Sequence, residues 1–307
     1  MGEVLAARRG ETQSRLADLK GRLEDSTRIA SGKACVYITG SFGRGEASAH
    51  SDLDLFIVGL GCPDNPALSR LDAICIKADL IEATRTLKFP EFSGDGQYLE
   101  HYAEKELIKT LGQPEDDANN TFTARLLLLL ESQPVIGVTV YERIVNDVVA
   151  AYWRDYEDHK KEFIPAFLAN DILRLWRTLC VNYEARTATD PPEKKAKRKV
   201  KNYKLKHSRL LTCYSALMHL LSTYSGQNTV HPNDALAMAK LSPTGRLEDL
   251  LKQTHITAAH EAIDKLLRTY EEFLTATDAP EAELVNRFMA PKAAKEYFQS
   301  ANTLAGC

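Results

Sequence analysis

The sequence has no cysteine cluster, no long apolar run and no large excess of charge of one sign. Its six cysteines include no Cys-x-x-Cys pair and no histidine at zinc-ligand spacing, which excludes a zinc finger. The longest apolar run, 126–130, is far too short to cross a membrane, and no apolar signal segment follows Met1. We therefore expect a cytoplasmic protein with reduced thiols and no membrane association.

Charge and length narrow the class further. The chain has 39 Lys and Arg residues against 42 Asp and Glu residues, which gives a net charge of -3. No global basic field therefore attracts nucleic acid, and any such surface must be local. With 44% hydrophobic residues the chain is globular, and at about 150 residues per domain its 307 residues suggest two domains.

Hydrophobic patterns predict alternating helices and strands in the first hundred residues. Leucines three and four apart predict an amphipathic helix over 3–29, and a similar pattern predicts another over 66–87. Between them, short runs rich in β-branched and aromatic residues at 34–39 and 53–58 predict two buried strands.

The remaining sequence separates into a breaker-rich segment and a long helical part. One proline and two glycines exclude a helix over 87–97, whereas the whole chain after Tyr98 is helix-patterned. We expect an α+β fold, in which a small mixed β-sheet domain with flanking helices occupies residues 1–112. An all-α helical domain is expected to follow over residues 113–307.

A glycine-rich turn follows the first predicted strand, and two aspartates begin the second. The two segments read Gly40-Ser41-Phe42-Gly43-Arg44-Gly45-Glu46 and Ser51-Asp52-Leu53-Asp54-Leu55. Because strand side chains alternate, Asp52 and Asp54 point to the same side. Two like charges resist ionising together unless a cation lies between them, and Mg²⁺ prefers oxygen ligands. The aspartates predict a metal site, and free N–H groups at Gly40 together with the Ser41 hydroxyl predict a phosphate site.

This combination resembles the DNA polymerase β type nucleotidyltransferase superfamily. The Arg-Gly-Glu form is similar to the minimal nucleotidyltransferases, including bacterial toxin and antitoxin members, and to the nucleotidyltransferase domain of the PII uridylyltransferases. The likeness is strong over residues 34–59 and loose over the first 110. It implies transfer of NMP from an NTP to an acceptor hydroxyl, with release of pyrophosphate.

The resemblance also implies roles for individual residues. Asp52 and Asp54 would bind two Mg²⁺ ions, for which Mn²⁺ is a substitute, and would act as catalytic carboxylates. Gly40 and Ser41 would hold the β- and γ-phosphates. The other nucleotide-binding positions of the motif are Arg44, Glu46 and Ser51. For the first two of these, an ion pair that braces the loop is the alternative.

Members of the superfamily normally add a third carboxylate from a neighbouring strand. No apolar-x-Asp strand follows Val58, so we expect Asp95, between two glycines, to be the third catalytic and metal-binding residue. Glu91 is its rival, and a plain turn is the alternative role for Asp95. If neither residue serves, the domain is a nucleotide-binding regulatory module without transfer activity.

A basic segment distinguishes the helical half. Residues 194–209 hold nine Lys and Arg residues and no acid. The spacing of Lys201, Lys204 and Ser208 predicts a common helix face, and helical-domain lysines contact the triphosphate in related polymerases. A basic loop over 194–199 suits a nucleic-acid backbone. RNA such as tRNA is therefore slightly favoured as the acceptor over a protein hydroxyl, which an antitoxin-like protein nucleotidylyltransferase would modify.

Overall fold

The computed structural model describes residues 2–92, 99–184, 191–290, 295–297 and 299. Two compact units are present. The sheet unit comprises Ala7–Lys160 and His231–Ser242, and the helical unit comprises the described residues of Met1–Ala6, Lys161–Val230 and Pro243–Cys307. Along the chain, the sheet unit gives way to the helical unit after Lys160. The domain boundary that we expect from the sequence, between residues 112 and 113, lies inside the sheet unit.

The sheet unit is built on four strands in the order β5-β2-β1-β6. Their bounds are Ala34–Thr39 for β1, Asp54–Gly59 for β2, His101–Ala103 for β5 and Gln133–Ile136 for β6. β1 is antiparallel to both β2 and β6, and β2 is parallel to β5. A short hairpin, β3 (Gly61–Cys62) with β4 (Asn65–Pro66), follows β2. The two predicted strands and the α+β class are confirmed.

Helices cover both faces of this sheet. They are α1 (Glu3–Gly21), α2 (Glu24–Ala30), α3 (Gly40–Gly43), α4 (Arg70–Thr86), α5 (Glu104–Lys109), α6 (Glu115–Ala118), α7 (Thr121–Glu131), α8 (Val138–Tyr152), α9 (Tyr156–His159) and α13 (Pro232–Lys240). On one face of the sheet, apolar side chains pack with leucines of α1 and α4 in a single buried cluster. The strand residues of this cluster include Val36, Ile38, Leu55 and Ile57. On the opposite face the rings of Tyr37 and Phe56 stack at 5.3 Å, and the Tyr37 hydroxyl donates to the carbonyl of Ala124 in α7. Alternation along the strands therefore defines two distinct faces.

Two expectations for this unit are wrong in detail. The chain after Tyr98 is not all helical, because it supplies the edge strands β5 and β6. Both strands are too short to show an alternating hydrophobic pattern in the sequence. Their conformation is determined by pairing, of β5 with β2 and of β6 with β1. The predicted helix over 3–29 is two helices, since the helix breaks after Gly21, a poor helix former, and Leu23 is fully buried at the junction.

The helical unit packs around aromatic side chains. Its elements are α10 (Ala166–Glu184), α11 (Pro192–Lys204), a π-helix (Leu205–Arg209), α12 (Leu210–Gln227), α14 (Pro243–Leu250), a 3₁₀ turn (Thr254–Ala259), α15 (His260–Ala276) and α16 (Glu281–Met289). The ring of Tyr203 contacts Phe273 and Phe288 in its core. The basic stretch 194–199 is helical rather than a loop, and Pro192 at its first turn favours that start. Among the described helices, none has the length and apolar character to span a bilayer.

A buried histidine makes the helical unit sensitive to acid. His207 is fully buried in the π-helix, stacks on Phe273 at 4.4 Å, and donates from Nδ1 to the carbonyl of Tyr203. Burial, helped by the positive charge of Lys206, lowers its pKa from 6.5 to about 4. Between these two pH values His207 is protonated in the unfolded chain and neutral in the folded chain. The free energy of unfolding therefore falls as the pH drops from about 6.5 towards about 4.

We expect this histidine to cost about 2 kcal/mol of stability between about pH 7 and about pH 4.5. The measurement is the free energy of unfolding by urea as a function of pH, for the natural chain and for His207→Leu. The variant should be less stable near neutrality, yet should lose less stability on acidification. Parallel pH profiles for the two proteins would contradict the assignment.

Candidate functional site

The chain turns sharply where β1 ends. Gly40 begins α3 directly after Thr39 and has φ +67°, a conformation that L side chains rarely adopt. A Cβ at this position would also overlap Oδ2 of Asp54. The backbone conformation therefore favours glycine here, and a larger residue would also displace the Asp54 carboxylate from the turn.

Of the two aspartates, Asp54 lies beside this turn. Asp54 is the first residue of β2 and is in register with Thr39, the last residue of β1. Leu53 and Leu55 are buried, whereas Asp52 is exposed and Asp54 is half-buried. The leucines thus fill the core, whereas the Asp54 carboxylate lies next to the glycine-rich turn and Asp52 is open to solvent.

These donors fit a magnesium ion. Mg²⁺ in proteins is commonly held by one or two carboxylates, with the remaining positions filled by water and substrate phosphates. Asp52 and Asp54 supply two such oxygen donors, and accessibility at Asp52 leaves room for a substrate. Within the described residues no group of three or more His, Cys, Asp or Glu side chains is arranged as a metal cage. The arrangement suits an ion shared with a bound phosphate.

Two serines of the motif have different environments. Ser41, in α3, is half-buried, and its hydroxyl has no hydrogen-bond partner among the described residues. Ser51 holds the turn before β2, because its hydroxyl accepts the backbone N–H of Ser48 at 3.0 Å. Ser41 can therefore bind a ligand, whereas Ser51 is engaged in shaping the backbone.

A buried ion-pair network supports the turn from below. Arg44 contacts Glu46 at 2.5 Å and Glu131 at 3.0 Å, and all three side chains are buried. Glu131 also accepts the backbone N–H of Gly40 at 3.2 Å. The loop-bracing alternative for Arg44 and Glu46 is thus what the structure shows. Glu131 belongs to no recognisable sequence motif. It follows five leucines at the end of α7, and nothing in that sequence predicts that it contacts the glycine-rich turn.

The structure adds a candidate for the third carboxylate. Asp95 lies outside the described residues, and Glu91 is exposed in the segment after α4. β2 and β5 are parallel with Ile57 opposite His101, so extending the register places Glu100 opposite Phe56. The rings of Phe56 and Tyr102 are in contact, which fixes the face of β5 that carries Tyr102. Alternation then puts Glu100 on the face that carries Asp54.

The surroundings of Tyr102 agree with this position of Glu100. Burial raises the pKa of the Tyr102 phenol, and the nearby Glu100 carboxylate, to which the phenol donates, raises it further. Sequence reasoning missed Glu100 because β5 is only three residues long and follows a segment without pattern. The strand pairing, which is a tertiary feature, reveals it.

A cleft of about 870 Å³ adjoins the other end of the turn. The cleft is lined by three amide side chains and three hydroxyl groups, from Gln13, Gln133, Asn146, Ser132, Tyr141 and Ser242. Charged side chains of Arg9, Glu142 and Lys240 and apolar side chains of α8 and α13 line much of the rest. It also includes Arg44 and Glu131 of the buried network. A cleft with convergent polar groups on an apolar wall is typical of a small-molecule site.

The remaining predicted residues belong to the helical unit. Lys201 and Lys204 are exposed on α11. Ser208 is buried and accepts a hydrogen bond from the Tyr270 hydroxyl at 3.3 Å. The predicted common face is wrong, because the π-helix after Lys204 changes the number of residues per turn and rotates Ser208 into the core.

Comparison with known proteins identifies the sheet-bearing segment. Residues 20–120 match the family model of the nucleotidyltransferase domain. No curated protein matches the chain. The matched segment contains β1, the glycine-rich turn, both aspartates and β5, which confirms the resemblance to the polymerase β type superfamily and supports nucleotidyl transfer as the general chemistry.

Proposed function

Because residues 20–120 match a nucleotidyltransferase domain, we propose that the protein moves NMP from an NTP to an acceptor hydroxyl in a Mg²⁺-dependent reaction. The observation that carries this proposal is the contact of Gly40 with the Asp54 carboxylate, beside an accessible Asp52. Phosphate-binding backbone and metal-binding carboxylates are thereby adjacent, as an attack on the α-phosphorus requires.

The residues of the chain divide the work. Gly40 and Ser41 would bind the outer phosphates, and the buried Arg44 network would keep their backbone in place. Asp52 and Asp54 would hold Mg²⁺, which when bound lowers the pKa of an attacking hydroxyl and neutralises charge on the leaving pyrophosphate. The remaining catalysis is positioning of the two substrates in line.

The large cleft beside the turn is our candidate for the nucleoside part of one substrate. Its volume of about 870 Å³ accommodates a base and a sugar. Gln13 and Asn146 offer both donors and acceptors, which is the chemistry that recognises the edge of a base.

Glu100 is our candidate for the third carboxylate, with Asp95 as the alternative. The test measures transfer and NTP binding separately for Glu100→Gln and for Asp95→Asn. Loss of transfer with retained NTP binding in one variant assigns the role to that residue. Full transfer activity in both variants would exclude both residues as the third carboxylate.

The acceptor is proposed to be RNA rather than protein. The exposed lysines of α11, including Lys194, Lys195, Lys201 and Lys204, form a local basic surface in a chain of net charge -3. Lys197 in the same helix is already paired with Glu281 at 2.9 Å. Phosphate backbones bind such surfaces with a strong dependence on salt.

The decisive experiment incubates the purified chain with each α-³²P-labelled NTP, Mg²⁺, total tRNA and a cell lysate. The matched control is the Asp52→Asn/Asp54→Asn double variant. Label on RNA that the double variant does not produce supports the proposal, and label on protein alone would assign a protein acceptor. Tight NTP binding without any transfer would establish a nucleotide-binding regulatory module instead.

A further inference from the structure

A second, smaller pocket lies on the face of the sheet opposite Asp54. Its volume is about 300 Å³, and α4 and the edge strand β5 form its walls. The Tyr102 ring contacts Phe56, so the neighbouring His101 points to the other face, towards α4. Strand alternation thus separates this pocket from the carboxylates of the glycine-rich turn.

The lining of this pocket is basic on one side and apolar on the other. Its three basic residues are Arg70, Lys77 and His101, and none of the acidic residues that the structure describes lines it. Leu68, Ala73 and Ile74 supply an apolar wall. Such a division suits a ligand that has a charged end and an uncharged body.

The basic groups have no counter-charge within the described residues. Neither Arg70 nor Lys77 forms an ion pair there, and His101 Nε2 is buried without a hydrogen-bond partner. Burial lowers the pKa of His101, and the charge of Lys77 lowers it further. His101 Nε2 lies against Gly59 of β2, so a bound anion would be met by Arg70 and Lys77, with His101 among the lining residues.

We propose that this pocket binds the phosphate group of a small phosphomonoester. A phosphate has enough acceptor oxygens to meet both cationic donors, and a guanidinium matches its geometry. Arg70 is the first residue of α4, a helix of 17 residues, so the positive end of the helix dipole adds to the attraction. The site is separate from the proposed transfer site and does not depend on it.

The test follows the His101 ring by NMR in the full chain with labelled histidines, assigned by its loss in His101→Gln. Inorganic phosphate and ribose 5-phosphate should shift its signals saturably, and NaCl of equal ionic strength should not. Arg70→Gln and Lys77→Gln should each weaken the affinity about tenfold. Arg85→Gln, which removes the same charge from the exposed far end of α4, should leave it unchanged.

Four results would overturn the proposal, and the last concerns the glycine-rich turn. One is a His101 response that is absent, or the same in NaCl. Another is phosphate binding that survives both charge removals in the pocket. The third is a short RNA oligonucleotide that binds with the same dependence on Arg70 and Lys77 while ribose 5-phosphate does not, which would make the pocket a nucleic-acid contact. Retained phosphate binding in the Asp52→Asn/Asp54→Asn double variant supports a site distinct from the glycine-rich turn, and its loss would place the ligand there.

Discussion

Replacing Asp54 by Asn should lower the rate of nucleotidyl transfer by at least about 10³-fold while the fold is kept. Asn has the shape of Asp and cannot provide an anionic ligand, so the substitution removes the charge without creating a cavity. Loss of a metal ligand removes several kcal/mol of transition-state stabilisation, and about 1.4 kcal/mol corresponds to a tenfold change in rate. The measurement is kcat with the NTP and acceptor found by labelling, together with the thermal unfolding midpoint.

The matched control for this prediction is Asp64→Asn. Asp64 is exposed between β3 and β4, and its substitution changes the net charge by the same amount. We expect unchanged kcat and an unchanged unfolding midpoint for this control. An Asp54→Asn protein that folds and transfers at a rate close to that of the control would exclude Asp54 as a catalytic metal ligand.

The sequence was sufficient for the parts of the site that are local. The strand-turn-strand unit over 34–59 is specified by short-range signals, namely β-branched runs, glycines and the alternation of Asp52 with Leu53. Each of these signals acts over a few residues, so the unit can be predicted without knowledge of the rest of the fold. The family match over residues 20–120 includes this unit.

The parts that the sequence did not reveal depend on tertiary pairing. Glu131 is 91 residues from Gly40 in the chain, yet its carboxylate accepts the Gly40 N–H. Glu100 is placed only by the register of β5 with β2. Ser208 was misplaced because a π-helix cannot be read from a helical period of 3.6 residues. In each case the position of the residue is set by structure that a short stretch of neighbouring sequence does not specify.

Replacing Arg44 by Met should lower the free energy of unfolding by about 3–5 kcal/mol, because it removes a buried guanidinium that two buried carboxylates contact. Glu46 and Glu131 both contact Arg44, and both carboxylates are buried. The measurement is urea unfolding at neutral pH. The matched control is Arg28→Met, which removes an arginine from the exposed pair with Asp25 and should cost at most about 1 kcal/mol.

A triple variant separates the loss of the cation from the loss of packing. Combining Arg44→Met with Glu46→Gln and Glu131→Gln also removes the two carboxylate charges that Arg44 contacts, so it should recover part of the stability lost in Arg44→Met alone. The triple variant should still bind NTP more weakly than the natural chain, because a side-chain amide in place of the Glu131 carboxylate is a weaker acceptor for the Gly40 N–H. If Arg44→Met costs no more than Arg28→Met, the network does not hold the turn. The conformation of Gly40 would then depend on the contact with Asp54 and on the backbone of α3.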